Sequence, residues 1–243
     1  MRKRESFNSR WGFILACIGS AVGMGNIWMF PTRVSLYGGG AFLIPYFIFV
    51  ILIGFTGVIS EMSFGRATRS GPIDAFGIAC ESRGHRKAGE ALGWIPVLGA
   101  LAMAIGYTVV MGWILKYTIG TFTGAVLAPA DIDGFAGAFG SMASSFGNNF
   151  WQTAALVICM IILMFGVGSG IEKANKIMMP VFFVLFIILG IYVAFQPGAV
   201  DGYHYIFRVD PKALSDPVTW IFALGQAFFS LSVAGNGTLI YGS

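Results

Sequence analysis

The sequence predicts an all-α integral membrane protein, and three observations carry that prediction. Of its 243 residues, 56% are hydrophobic and 11% charged, with a mean hydropathy of +0.78; a soluble domain carries about a quarter charged residues. Several apolar runs stay free of charge over lengths that cross a bilayer at ~1.5 Å per residue. The first and last of these runs are interrupted by glycine, serine and asparagine at the depth where a lipid-facing helix needs leucine or isoleucine. Irregular backbone at that depth is tolerated only where it is buried in protein or lines a cavity.

The elements follow in order. MRKRESFNSR at the start is basic. The apolar run behind it is longer than a signal-peptide core and lacks a small-residue cleavage site, so it remains as span one, near 11–35. Within it, CIGSAVGMGNIWMFP (17–31) carries Gly19, Ser20, Gly23, Gly25 and Asn26, which predict a break over 19–26. Span two lies near 41–65, and IDAFGIAC in the following 66–90 loop predicts a short interfacial helix. Span three, near 91–122, is long enough to tilt strongly. A Gly/Ala/Ser-rich loop (123–150), spans four (151–167) and five (177–195), and a loop with three prolines (197–216) lead to span six, 217–243. That last span repeats the oddity of the first: good helix gives way to Ser230, Ser232, Gly235, Asn236 and Gly237. The whole forms a single membrane domain, and a sequence that stops just past its second break reads as the front portion of a longer protein.

Charge placement orients the chain. Arg2, Lys3, Arg4 and Arg10, then Arg66, Arg69, Arg83, Arg86 and Lys87, then Lys173 and Lys176 all fall on one set of alternating sides. The opposite loops carry Asp131 and Asp133, with only Arg208 and Lys212 in the proline-rich stretch. The positive-inside rule then puts the N-terminus of this multi-pass protein in the cytoplasm, in the cell (inner or plasma) membrane. The basic run at 83–87 suits topology and lipid headgroups better than nucleic acid. Cys17, Cys80 and Cys159 are scattered singly, and no HExxH, GxxxxGK or GxSxG occurs. An enzyme is therefore not expected.

Two glycine-interrupted spans in corresponding positions point to the binding site of a secondary transporter. A broken helix leaves amides free at the start of its second half and carbonyls free at the end of its first. The amides suit a carboxylate, while the carbonyls suit Na⁺ or an ammonium group. Asn26 and Ser230 add neutral oxygens, and neither break contains an acid, so a substrate carboxylate would complete the charge balance.

SAVGMGNIWMFP (20–31), GGGAFLIPY (38–46), EMSFGR (61–66), IEKANKIMMP (171–180) and GQAFFSLS (225–232) together resemble the neurotransmitter:sodium symporter family, in its bacterial amino-acid branch. The resemblance runs in order through essentially the whole chain. It implies the first inverted repeat (spans 1–5) plus the start of span 6 of a twelve-span leucine-transporter-type fold, with helices 1 and 6 broken. It implies sodium-coupled symport of a hydrophobic or aromatic amino acid by alternating access. Ala21, Asn26 and Ser230 would then ligate one sodium, and the Gly19 and Val22 carbonyls a second. The amides of Met24 and Gly25 would hold the substrate carboxylate with the Tyr107 hydroxyl; the carbonyls of Ala21, Phe229 and Ser230 would hold its ammonium group. Met103, Phe229, Ser232 and Gly235 would shape the side-chain pocket. Phe229 resembles a lid, and Arg4 with Phe7 a cytoplasmic gate, where the family more often has tryptophan than Phe7. Met29 stands where many relatives have an outer-gate arginine, and Gly235 where they often have a bulky residue.

Plainer readings stand beside these. Gly19 and Gly23 form a GxxxG pattern that also serves close helix packing. Tyr107 and Phe229 suit aromatic packing, and Glu61 suits a tie to the loop containing Arg66. Tyr46, Gln226 and Ser230 match part of a chloride site in some relatives, and a polar contact between helices accounts for them equally. The rival functions are another ion-coupled carrier of similar fold and a non-transporting fragment. Lipid is an expected neighbour; the sequence leaves oligomeric state open.

Overall fold

The computed structural model describes residues 7–243, and among these every regular element is a helix. Residues divide into two compact units, one formed by 7–99 and 172–243, the other by Ala100–Ile171.

In the first unit, α1 (Arg10–Ala21) is capped by Ser9, whose side chain accepts the Gly12 amide. After a break the chain resumes in a π-helical turn (Gly25–Met29) that runs into α2 (Phe30–Leu36), bent 52° from α1. Gly38 and Gly39 then turn the chain at positive φ, and a side chain on Gly39 would collide with the Tyr205 carbonyl. From there α3 (Gly40–Ile53), a π turn and α4 (Ile59–Thr68) form one continuous apolar helix of 29 residues. The expected interfacial helix is α5 (Pro72–Glu81), and α6 (Arg86–Thr123) starts in this unit and continues into the other. α9 (Glu172–Ala194) lies against α1. α12 (Pro217–Ser230) packs along α3, and α13 (Gly237–Gly242) along α4. The core between α2, α3 and α12 is Val34, Phe42 and Ala223, ringed by Phe30, Tyr37, Tyr46, Phe49 and Phe222. Arg33 lies over the Phe222 ring at 4.1 Å.

The other unit contains the rest of α6, α7 (Ile132–Ala143) and α8 (Asn149–Met164). The Asn148 side chain donates to the Val109 carbonyl at 2.6 Å and Gln152 to the Thr108 hydroxyl at 3.2 Å, tying the start of α8 to α6.

Among the described residues, three helices are long and apolar enough to cross a membrane: Gly40–Thr68, Arg86–Thr123 and Val167–Ala194. The bent pair of α1 and the following half makes a fourth, and α8 is a shorter apolar helix. The helix containing α9 therefore begins ten residues before the expected 177, through a π turn at Val167–Ile171. Both expected loops are also more helical than their composition suggests. Asp131 caps α7 by accepting the Gly134 amide. In the proline-rich stretch, α10 (Ala199–Phe207) precedes α11 (Pro211–Ser215), and Asp210–Pro211 and Asp216–Pro217 each place a capping carboxylate before a proline at the first helical position.

Candidate functional site

The first break forms because Val22 leaves helical geometry, with φ −84° and ψ 88°, one residue after α1 ends. Glycines on either side weaken any continuation. Among the described residues, no carbonyl takes the amide of Met24 or Gly25, and no backbone amide reaches the carbonyl of Gly19 or Val22. Backbone amides and carbonyls that have left the helical ladder therefore stand within one turn of each other.

The second break is tighter. After α12, Ser232, Ala234 and Asn236 all adopt positive φ, at 53°, 65° and 65°. Non-glycine residues rarely adopt this geometry, so three of them in five positions mark stored strain that the surroundings must hold. Glu61 does much of the holding. Its carboxylate accepts the Ala234 amide at 2.7 Å and also the Thr238 hydroxyl. This corrects the expectation that Glu61 ties to the loop of Arg66: α4 runs alongside α13, so the carboxylate meets free backbone of the broken span first. The Ser232 hydroxyl donates to the Ser20 carbonyl at 2.6 Å, and the Asn236 side chain to the Pro96 carbonyl at 2.9 Å.

The two breaks meet. The Ser230 hydroxyl donates to Asn26 Oδ1 at 2.6 Å, and Asn26 Nδ2 to the Ala21 carbonyl at 2.8 Å. Gln226, one turn before Ser230 on the same face, donates to the Gly25 carbonyl at 3.0 Å. Tyr46 donates to Ser230 Oγ at 3.1 Å. Tyr46, Gln226 and Ser230 thus make the polar contact between helices that their residue types allow. Phe229 lies so close over Gly25 that any side chain there would overlap its ring, whereas a side chain on Gly235 would meet only the Ser232 carbonyl, at 3.3 Å. The oxygens that the hydrogen bonds place at Asn26 are its own Oδ1, the Ser230 hydroxyl and the Ala21 carbonyl, all neutral. That set fits a hard monovalent cation.

Near the start of the chain, Phe7 packs edge-on against Phe13 and Tyr241, each at 5.5 Å. The Asn8 amide (2.6 Å), the Ser9 hydroxyl (2.9 Å) and Lys176 (2.6 Å) all converge on the Glu172 carboxylate, which is 1% exposed. Arg4 lies outside the described residues. Met103 and Tyr107 sit one turn apart on α6 in the other unit. The structure therefore brings Ser20, Ala21, Gly25 and Asn26 together with Phe229, Ser230 and Ser232; Val22 and Met24 lie in the same break, and Gly19 faces Asn175 and Met179 of α9. Glu61 and Thr238 were not anticipated as partners of the second break; an acid facing an apolar span was the available signal.

Comparison with known proteins gives the family of this fold. The pattern of the Sodium:neurotransmitter symporter family matches residues 4–129 and 137–243. A Bacillus subtilis protein named uncharacterized sodium-dependent transporter YhdH is 33% identical, over 100% of this chain and 52% of its own length. The rat sodium-dependent neutral amino acid transporter SLC6A17 is 28% identical, over 99% of this chain and 36% of its own. The crystal structure of MhsT in complex with L-phenylalanine superimposes with a TM-score of 0.85 at 38% identity, covering 99% of this chain and 54% of that one. The chain spans about half the length of the curated relatives it matches. With the family pattern matched almost from end to end, this all-helical chain belongs to the sodium:neurotransmitter symporter family.

Proposed function

We propose that the protein containing this chain is a sodium-coupled symporter of an apolar amino acid, working by alternating access in the cell membrane with its N-terminus in the cytoplasm. The single observation that supports this most is the meeting of the two helix breaks through Ser230 and Asn26, beside backbone groups that have left the helical ladder. In this reading Ala21, Asn26 and Ser230 take one sodium, and the carbonyls of Gly19 and Val22 serve a second. Bound sodium supplies positive charge beside the substrate carboxylate. The amides of Met24 and Gly25 hold that carboxylate. The carbonyls of Ala21, Phe229 and Ser230 face the ammonium group, while Phe229 and Ser232 bound the side chain. Phe229 closes the site as a lid, and Phe7 with Arg4 closes the cytoplasmic side. Gly235 adds no side chain of its own to the pocket, which favours a large apolar substrate, in keeping with the phenylalanine in the MhsT complex. Six spans of this chain would form the first inverted repeat and the start of span six.

The driving force is adequate. A tenfold sodium gradient contributes about 1.4 kcal/mol and 100 mV about 2.3 kcal/mol per charge, enough for several-hundredfold accumulation with one Na⁺. Uptake of labelled L-phenylalanine by the intact protein in proteoliposomes tests the proposal. Uptake that follows an imposed Na⁺ gradient is expected; equal uptake when K⁺ replaces Na⁺ would overturn the coupling.

A further inference from the structure

Within the Ala100–Ile171 unit, a cavity of about 230 Å³ opens between the end of α6, the start of α7 and the start of α8. Tyr117, Val126, Phe135 and Trp151 give it mostly apolar walls, and Lys116 is the charged group that lines it. Lys116 makes no hydrogen bond or ion pair with a described residue. The acids of this unit are Asp131 and Asp133, and neither lines the cavity; Asp131 is engaged in capping α7. An ionisable side chain placed within an apolar span and left without a counter-charge is a candidate for function.

The geometry points to a second ligand site here, for a small amphipathic monoanion: a carboxylate on Lys116 with an apolar, aromatic-sized body against Phe135 and Trp151. Two features select that class. The volume suits one short apolar body. Finally, the site offers a cation with no carboxylate beside it, which matches a net anion better than a zwitterion.

The probe is 3-phenylpropionate, titrated calorimetrically into the intact protein in detergent. Saturable binding is expected, unchanged when K⁺ replaces Na⁺, which separates this site from the sodium-coupled one. Lys116→Gln should weaken binding about tenfold, and Lys116→Arg should retain it. Val126→Trp, which fills the cavity but leaves the cation, should abolish binding. The uncharged isostere 3-phenyl-1-propanol should bind about tenfold more weakly. Equal binding by Lys116→Gln, or by the alcohol, would overturn the assignment. So would equally strong competition from L-phenylalanine, or displacement by phosphatidylglycerol but not by phosphatidylcholine.

Discussion

The hydroxyl of Ser230 donates to Oδ1 of Asn26 at 2.6 Å, across 204 positions of sequence, and so joins the irregular part of the first span to that of the last. Each residue is otherwise an odd tenant of an apolar helix. In the proposed reading their oxygens, with the Ala21 carbonyl to which Asn26 Nδ2 donates, are the ones a desolvated Na⁺ takes. Replacing Ser230 by Ala removes one oxygen and leaves Asn26 Oδ1 without its donor. The expected result is about a tenfold weaker apparent Na⁺ affinity, equivalent to about 1.4 kcal/mol, in substrate binding measured against Na⁺ concentration. An unchanged Na⁺ dependence would remove Ser230 from the ion site.

Gly25 is required by the ring of Phe229. Gly25→Ala forces Phe229 away, with an expected destabilisation of about 1–3 kcal/mol from overpacking. The thermal midpoint of the purified protein checks that loss. Substrate affinity should fall with it. The variant Phe229→Leu, made together with Gly25→Ala, should recover much of the stability but not the affinity.

Glu61 holds the strained turn after α12 through the Ala234 amide and the Thr238 hydroxyl. Glu61→Gln keeps the shape and loses the charge, at about 1–2 kcal/mol of stability. Thr238→Val removes one of the same contacts. In a double-mutant cycle the two losses should therefore add to less than their sum, since the residues share a partner. Full additivity would mean that Glu61 acts elsewhere.

These contacts show where the sequence is legible. The breaks were visible because Gly19, Gly23, Asn26, Asn236 and Gly237 stand in runs that should hold only leucine-like residues, a purely local signal. That Ser230 faces Asn26, or that Glu61 reaches Ala234, depends on how distant helices pack, and periodicity does not encode it. The helices in the two expected loops were legible in principle: Asp131, Asp210 and Asp216 each cap a helix, yet glycine- and proline-rich composition masked them.

Near the start of the described residues, the buried Glu172 carboxylate gathers the Asn8 amide, the Ser9 hydroxyl and Lys176. Glu172→Gln weakens all three. Hydrogen exchange of residues 8–12 should then speed up about tenfold or more, because the segment loses its charge-assisted anchor. Exchange equal to that of the unchanged protein would show that Phe7, packed between Phe13 and Tyr241, is sufficient to hold it.

The central claim is that sodium and an amino acid share one site built from both breaks. Thermodynamic linkage makes that claim measurable, because each ligand must raise the affinity of the other by the same factor. Equilibrium binding of L-phenylalanine to the intact protein across a Na⁺ series at constant ionic strength is the direct test. The account predicts affinity that rises at least about tenfold with Na⁺, and a coupling that Asn26→Leu removes. Phenylalanine affinity that is the same in Na⁺ and in K⁺ would contradict it.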